Sequence, residues 1–202
     1  NNENFVYDGV PKSIKITECL PSGTSVTYTN NNLSNVGVYE VEATISGANY
    51  KDQVLKATLT IVKATLSGFS LASQSFVYNG APKSLKISGD LPTGVSVSYT
   101  HNSFTEAGSY EVTATIFGDN YEDLILKANL TITKATLSGL TFNDDSFVYN
   151  DTPKSLKISG NLSTEASVSY SNNNFTEAGS YEVTATISRA NYEDLILKAN
   201  LT

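Results

Sequence analysis

Tyr110-Glu-Val112-Thr-Ala114-Thr-Ile116 is the stretch from which the fold can be read. Apolar and polar side chains alternate without a break over seven positions. That is the period of a β-strand with one face buried and one face wet. The stretch recurs as Tyr39-Glu-Val41-Glu-Ala43-Thr-Ile45 and as Tyr181-Glu-Val183-Thr-Ala185-Thr-Ile187, at a constant spacing of 71 residues. The inward set Tyr, Val, Ala, Ile is kept in all three copies. The outward set drifts, as Glu42, Thr113 and Thr184 at one position and Ser46, Phe117 and Ser188 at another. A packed interior feels each methylene and a wet face does not.

Working outward, the 71-residue period covers the whole chain. Phe5-Val-Tyr7, Phe76-Val-Tyr78 and Phe147-Val-Tyr149 repeat in register, as do Asn49/Asn120/Asn191, Tyr50/Tyr121/Tyr192 and Leu59/Leu130/Leu201. All 12 tyrosines fall four to a copy. Over 56 alignable positions, copies one and two agree at 33 and copies two and three at 44, so the array is three versions of one unit. Two further alternating runs lie in each unit, Val95-Ser-Val97-Ser-Tyr99 and Leu126-Lys-Ala128-Asn-Leu130-Thr-Ile132. Shorter strands are predicted at 76–78, at 84–88, and around Leu66 and Leu137. Between them stand turn signals: Asp8-Gly9, Asn79-Gly80, Leu20-Pro-Ser-Gly23, Leu91-Pro-Thr-Gly94 and Glu106-Ala-Gly108. These supply the fixed or positive φ that tight turns require. No window carries helical spacing. Six or seven short strands per unit predict an all-β chain of tandem small antiparallel sandwiches.

We place the units at 1–64, 65–135 and 136–202, the first N-terminally and the last C-terminally incomplete, as in a piece of a longer array. Lys63-Ala-Thr-Leu-Ser-Gly68 recurs as Lys134-Ala-Thr-Leu-Ser-Gly139 and leaves almost no linker, so stiff joints are expected. A domain this small buries only about 60% of its unfolded surface, so each unit should lean on its neighbours.

Composition narrows the function classes. With 40% hydrophobic, 10% aromatic and 16% charged residues, the 202-residue chain reads as folded rather than disordered. No apolar run approaches the ~20 residues of a membrane span, and residues 1–7 carry no signal-peptide pattern. A net charge of −7 and a pI near 4.7 argue against nucleic acid and anionic membrane as partners. The single cysteine, Cys19, can form no internal disulfide, and with the single histidine, His101, it can build no Cys/His metal site. His101 is replaced by Asn30 and Asn172, and Cys19 by Asp90 and Asn161, so both read as turn residues. The cluster Asp119-Asn-Tyr-Glu-Asp123 has oxygens enough for a calcium ion, but copy one has Lys51 in its middle and the spacing matches no calcium loop. Asn143-Asp144-Asp145 faces the same objection, because its counterpart Ala72-Ser73-Gln74 has no acid. A Lys–Asn cross-link promoted by an acid would need Lys83 or Lys154 with Asn129 or Asn200, but Asn129 and Glu111 fall on outward parity. For stacking on sugars, Tyr99 and Tyr110 lie on inward parity and Tyr78 shares a face with Phe76. Phe117 alone is an outward aromatic. We therefore expect no catalytic, cofactor-binding or metal residue and no cofactor.

The motifs Phe-x-Tyr-[Asp/Asn]-Gly-x-Pro-Lys-Ser-Leu, Leu-Pro-x-Gly-x-x-Val-x-Tyr, Ala-Gly-x-Tyr-x-Val-x-Ala-Thr, Asn-Tyr and Leu-Thr-Ile-x-Lys-Ala together resemble the MBG/YDG-type repeats. The resemblance implies immunoglobulin-like domains in tandem, within a bacterial cell-surface or secreted protein. Its motif residues are turn and core positions, and it transfers no ligand site. The third copy departs at Asn150-Asp151 and at Leu162-Ser-Thr-Glu165, where looser turns are expected. The expected role is a non-enzymatic stalk or spacer that carries a functional head, in an extracellular setting. The alternative is an adhesive or glycan-binding module. Partners are then neighbouring repeats, with host or glycan ligands held by other domains, and no nucleic acid or membrane insertion. Strands of ~7 residues at ~3.3 Å each, stacked three domains deep, give on the order of 100 Å in length. Small-angle scattering checks this. A maximum dimension near 100 Å with a single-domain cross-section is expected, and one near 60 Å contradicts stiff stacking.

Overall fold

The computed structural model describes residues 1–202, which form fifteen β-strands and no helix. In repeat 1, β1 (Glu3–Val6), β2 (Thr24–Thr29), β3 (Gly37–Gly47) and β4 (Tyr50–Val62) make a sheet in the order β1-β4-β3-β2. Repeat 2 contains β5 (Ser70–Leu71), β6 (Gln74–Val77), β7 (Ile87–Ser88), β8 (Ser96–Thr100), β9 (Gly108–Gly118) and β10 (Tyr121–Thr133). Its four-stranded sheet runs β6-β10-β9-β8, and β5 pairs with β7 in a second small layer. Repeat 3 repeats the plan with β11 (Leu140–Thr141) on β12 (Ser159–Gly160), and with β13 (Ser167–Ser171), β14 (Tyr181–Ser188) and β15 (Leu195–Leu201) in order. The chain is all-β, as tandem small immunoglobulin-like sandwiches require.

One strand per repeat runs against the antiparallel expectation. β1 pairs in parallel with β4 (Phe5 opposite Ile61), and β6 with β10 (Phe76 opposite Ile132). Only Ala72 and Ser73 separate β5 from β6, and across them the chain passes from the small layer to the edge of the four-stranded sheet. A side chain at the crossing fixes the register. Asn2, Ser73 and Asp144 accept hydrogen bonds from the backbone N–H of Thr58, Asn129 and Asn200 at 2.8, 2.9 and 2.7 Å. Three different residues do one job because each offers an oxygen at the same reach.

The alternation sorts core from surface. Val112, Ala114 and Ile116 are fully buried, as are Val183, Ala185 and Ile187, and the core contains no polar or charged residue. In repeat 1, Ile14, Val41, Leu59 and Ile61 form a cluster closed by Phe5, Tyr7 and Tyr39; in repeat 3, Leu156, Val183, Ala199 and Leu201 form one closed by Phe142, Phe175 and Tyr181. Half-buried polar groups frame these cores. Asn102 accepts from the Leu85 N–H at 2.6 Å and donates to the Leu85 carbonyl at 2.8 Å, and Asn31 with Ile14 and Asn173 with Leu156 do the same. Each asparagine amide completes a rung of β-ladder that no strand supplies. Tyr39, Tyr110 and Tyr181 donate their hydroxyls to the carbonyls of Asn35, Glu106 and Glu177, four residues back, at 3.0, 2.9 and 3.3 Å. This is the tyrosine corner of immunoglobulin-like sandwiches. It explains the glycine two residues before each tyrosine: a Cβ on Gly108 would stand 2.8 Å from the Tyr110 hydroxyl.

The turns of repeat 3 are tied rather than loose. Asp151 takes the left-handed backbone of Gly9 and Gly80 (φ 59° against 78° and 76°), and Ala166 N–H closes onto Ser163 at 3.0 Å. Elsewhere Gly94 and Gly118 approach closely, carbonyl to Cα. Their counterparts are Glu165 and Arg189, which form an ion pair at 2.7 Å instead.

The chain divides into two compact units: 1–72 with 86–100 and 113–127, and 73–85 with 101–112 and 128–202. The division passes through repeat 2, and each unit contains one whole junction between repeats.

A pair of neighbouring substitutions tests the register. Val112→Ala should destabilise by roughly 1–3 kcal/mol, because it removes two methyls from a fully packed position. Thr113→Ala on the opposite, half-buried face should stay within about 1 kcal/mol. Urea unfolding measures both, and the reverse order would put every inward assignment on β9 one residue off.

Candidate functional site: the junctions between repeats

The hairpin joining β9 to β10 carries Asn120-Tyr121, and the one joining β14 to β15 carries Asn191-Tyr192. Each dipeptide reaches into the preceding repeat. Asn120 Oδ1 accepts the Val36 N–H of repeat 1 at 2.8 Å, while its Nδ2 donates to Asn35 Oδ1 at 3.3 Å. The Asn120 carbonyl accepts the Ala64 N–H at 3.1 Å, and the Glu122 N–H donates to the Ala64 carbonyl at 2.9 Å. Tyr121 then stands edge-on to Tyr7, centroids 5.3 Å apart.

The second junction repeats the first, contact for contact. Asn191 Oδ1 accepts the Ala107 N–H at 2.8 Å, and its Nδ2 donates to Glu106 Oε2. The Asn191 carbonyl accepts the Ala135 N–H at 3.0 Å, and Glu193 N–H donates to the Ala135 carbonyl at 2.8 Å. Tyr192 stands edge-on to Tyr78 at 5.6 Å, and the Arg189 guanidinium lies 4.7 Å over its ring. Where the same groups face no neighbouring repeat they are open: Tyr50 is 51% and Tyr149 57% exposed, whereas Tyr7, Tyr78, Tyr121 and Tyr192 are half-buried. Ala64 and Ala135 thus pair with the hairpin of the repeat that follows.

The other residues raised by the sequence are scattered. His101 is exposed with φ 54°, the backbone that Asn30 and Asn172 also adopt at 56°. Cys19 is an exposed free thiol. Within 119–123, Asn120 is spent on the junction, and no three His, Cys, Asp or Glu side chains converge anywhere in the chain. Asp144 and Asp145 accept backbone N–H groups from Asn200 and Ser146. The ammonium groups of Lys83 and Lys154 lie 5.7 and 5.8 Å over the Phe76 and Phe147 rings, as Lys12 lies over Phe5. Asn129, Asn200 and Glu111 are exposed. Tyr99 accepts the Ile87 N–H, Tyr110 makes the corner described above, and Phe117 is 41% exposed. Lys12 beside Asp8 holds that carboxylate below its usual range, and Glu40 and Glu42 push the Lys56 ammonium up. These are exposed pairs of little energetic weight. The sequence places the Asn-Tyr dipeptide only among the recurring turn and core motifs. The available signal was that it recurs in every copy although neither residue sits on core parity.

A sequence model described as MBG domain matches the chain three times, at residues 2–65, 68–136 and 138–195. The chain belongs to the MBG domain family. No curated protein sequence matches it. Among solved structures it is similar to extracellular domains 3–5 of Drosophila OTK, at 5% identity and TM-score 0.31 over 100% of this chain and 95% of that one. A three-domain immunoglobulin structure of titin matches at 8% identity and TM-score 0.32, over 98% and 94%. A SusE-like surface-located polysaccharide-binding protein of the Bacteroides thetaiotaomicron heparin utilisation locus matches at 12% identity and TM-score 0.29, over 96% and 56%. The chain has no helix long and apolar enough to cross a membrane.

The MBG junctions carry their own control. Asn120→Ala should cost about 1–3 kcal/mol, since it leaves a half-buried Val36 N–H without a partner. Asn49→Ala, the same residue on an exposed hairpin, should cost less than about 0.5 kcal/mol. Hydrogen exchange at Val36 and Ala64, faster in the first variant and unchanged in the second, is the check.

Proposed function

We propose that this chain is a non-catalytic spacer, a stalk segment of a bacterial cell-surface or secreted protein whose stacked MBG repeats hold a functional head away from the envelope. Domain boundaries at 64/65 and 135/136 belong to this proposal. One observation carries it: the tyrosines and the ladder and hairpin asparagines that recur at 71-residue spacing are spent on corners, ladders or junctions, and among the recurring exposed charges Glu40 and Glu182 are paired with Lys56 and Lys198. The recurring tyrosines close corners and meet at junctions. The recurring asparagines complete ladders or bridge repeats. A repeated ligand site would leave a repeated polar cluster unspent, and the core holds no polar or charged group whose reactivity burial could tune.

The competing role is an adhesive or glycan-binding module acting through loops or a sheet edge. A glycan array and a host-matrix binding assay on the 202-residue chain separate the two. The spacer reading expects no saturable binding; a Kd below about 1 μM for any glycan or matrix protein would overturn it.

A further inference from the structure

In repeat 2 a strand near the start of the unit and the strand that closes it lie side by side and point the same way. Four residues of β6 pair with β10, from Gln74 opposite Leu130 to Val77 opposite Thr133. The ladder is extended at both ends. Ser73 Oγ accepts the Asn129 N–H at 2.9 Å, and the Tyr78 N–H donates to the Thr133 carbonyl at 2.8 Å. The Thr133 hydroxyl adds a bond to the Phe76 carbonyl at 3.2 Å. Repeat 1 keeps the arrangement, with Phe5 opposite Ile61 and the Tyr7 N–H on the Val62 carbonyl at 2.9 Å. The second layer of repeat 2 is slighter, pairing only Ser70 with Ser88 and Leu71 with Ile87.

Parallel adjacency decides how tension would meet this ladder. The chain coming from repeat 1 reaches β6 at its N-terminal end, Gln74, and leaves β10 for repeat 3 at its C-terminal end, Thr133. In a parallel pair those are opposite ends of the ladder. A pull along the chain therefore slides the strands past each other, and every rung resists at once. In an antiparallel pair the two points would lie at the same end, and the rungs would open singly. Apolar packing shields the rungs from competing water: Leu130 and Ile132 are buried, and Phe76 is half-buried with the Lys83 ammonium 5.7 Å over its ring. Two residues beyond Thr133, Ala135 is bonded to the backbone of Asn191 and Glu193 at 3.0 and 2.8 Å, so the force path continues into repeat 3 through main-chain bonds.

We infer that the β6–β10 ladder, with β1–β4 as its equivalent in repeat 1, is a shear clamp that holds tension along the chain. The inference rests on the spacer reading in one respect: a stalk between an envelope and a tethered head is pulled from both sides.

Force spectroscopy on the 202-residue chain tests direction rather than stability. In a Cys19→Ser background, DNA handles on Ala72→Cys and Lys134→Cys pull the ladder in shear. Handles on Ala81→Cys and Lys134→Cys pull the same rungs from one end, and all three positions are exposed. At one loading rate the first geometry should rupture at about three times the force of the second, because its rungs must break together. Gln74→Pro deletes a rung, since its counterpart Asp145 donates its N–H to the Asn200 carbonyl at 3.1 Å. It should lower the shear force by about a quarter and leave the peeling force, set by the Tyr78 end, unchanged. Ser75→Pro is the control, because the N–H of its counterpart Ser146 turns to Asp145 Oδ1 at 2.9 Å, and an edge strand tolerates proline there. Equal rupture forces in the two geometries overturn the clamp, as does an equal effect of the two prolines. Either result leaves the spacer reading standing, which glycan and matrix binding decide separately.

Discussion

An asparagine side chain is a peptide group on a short tether, and this protein depends on it wherever backbone cannot meet backbone. Repeats of about seventy residues consist largely of strand ends and loops, whose N–H and C=O groups must find partners once water is excluded. Asn102 bridges the Leu85 N–H and carbonyl inside a repeat; Asn120 bridges Val36 and Asn35 between repeats. The first use lets a short second layer close the core without a full strand. The second makes the end of one sandwich continue the hydrogen bonding of the last. Both replace a missing rung with an amide that costs little side-chain entropy to fix.

The three copies act as substitutions made on one scaffold. Asn2, Ser73 and Asp144 show that the crossing between layers needs an acceptor and does not need a charge. Gly94 with Gly118, against Glu165 with Arg189, shows a close approach exchanged for a spanning ion pair. Either member changed alone would leave a clash or an unanswered charge. Asp8 in repeat 1 accepts the Val10 N–H at 2.9 Å, the turn that Asn79 makes with the Ala81 N–H, and adds an ion pair to Lys12. In each case the geometry stays and its chemistry changes, which is why the turns of repeat 3 hold despite losing their proline and glycine.

The fold was legible because period-two alternation is a local signal: Val112, Ala114 and Ile116 announce their burial within seven residues. The parallel pairing of β6 was not, because Phe76-Val-Tyr78 alternates the same way whichever direction its partner runs. The direction follows from the crossing of the chain from one sheet to the other after β5, and a strand of two residues leaves no periodicity to detect. The junction was half legible. Asn120 and Tyr121 recur in register, but Val36 lies 84 positions away, and no local pattern tells a hairpin residue that faces water from one that faces another repeat. His101 was read well from its neighbours in the array, since Asn30 and Asn172 share its left-handed backbone and asparagine favours that region.

The placement of the junction residues bears on how such a chain can lengthen. Each repeat offers an Asn-Tyr hairpin as one docking set, and as the other a tyrosine, the backbone N–H before the corner glycine and an alanine. Those two sets lie at fixed positions within the 71-residue unit, so docking one unit onto another requires nothing that a third unit must supply. Energetics in such arrays are a sum of unit stabilities and nearest-neighbour contacts. Repeat 2 alone has both of its ends engaged within this chain, and it is also the repeat through which the two compact units divide. Insertion or loss of a whole unit therefore leaves every remaining contact intact, whereas a change of a single residue in the period would misplace Asn, Tyr and alanine together. The constant 71-residue spacing between copies that differ at 23 of 56 positions (56 minus 33) is what that constraint demands.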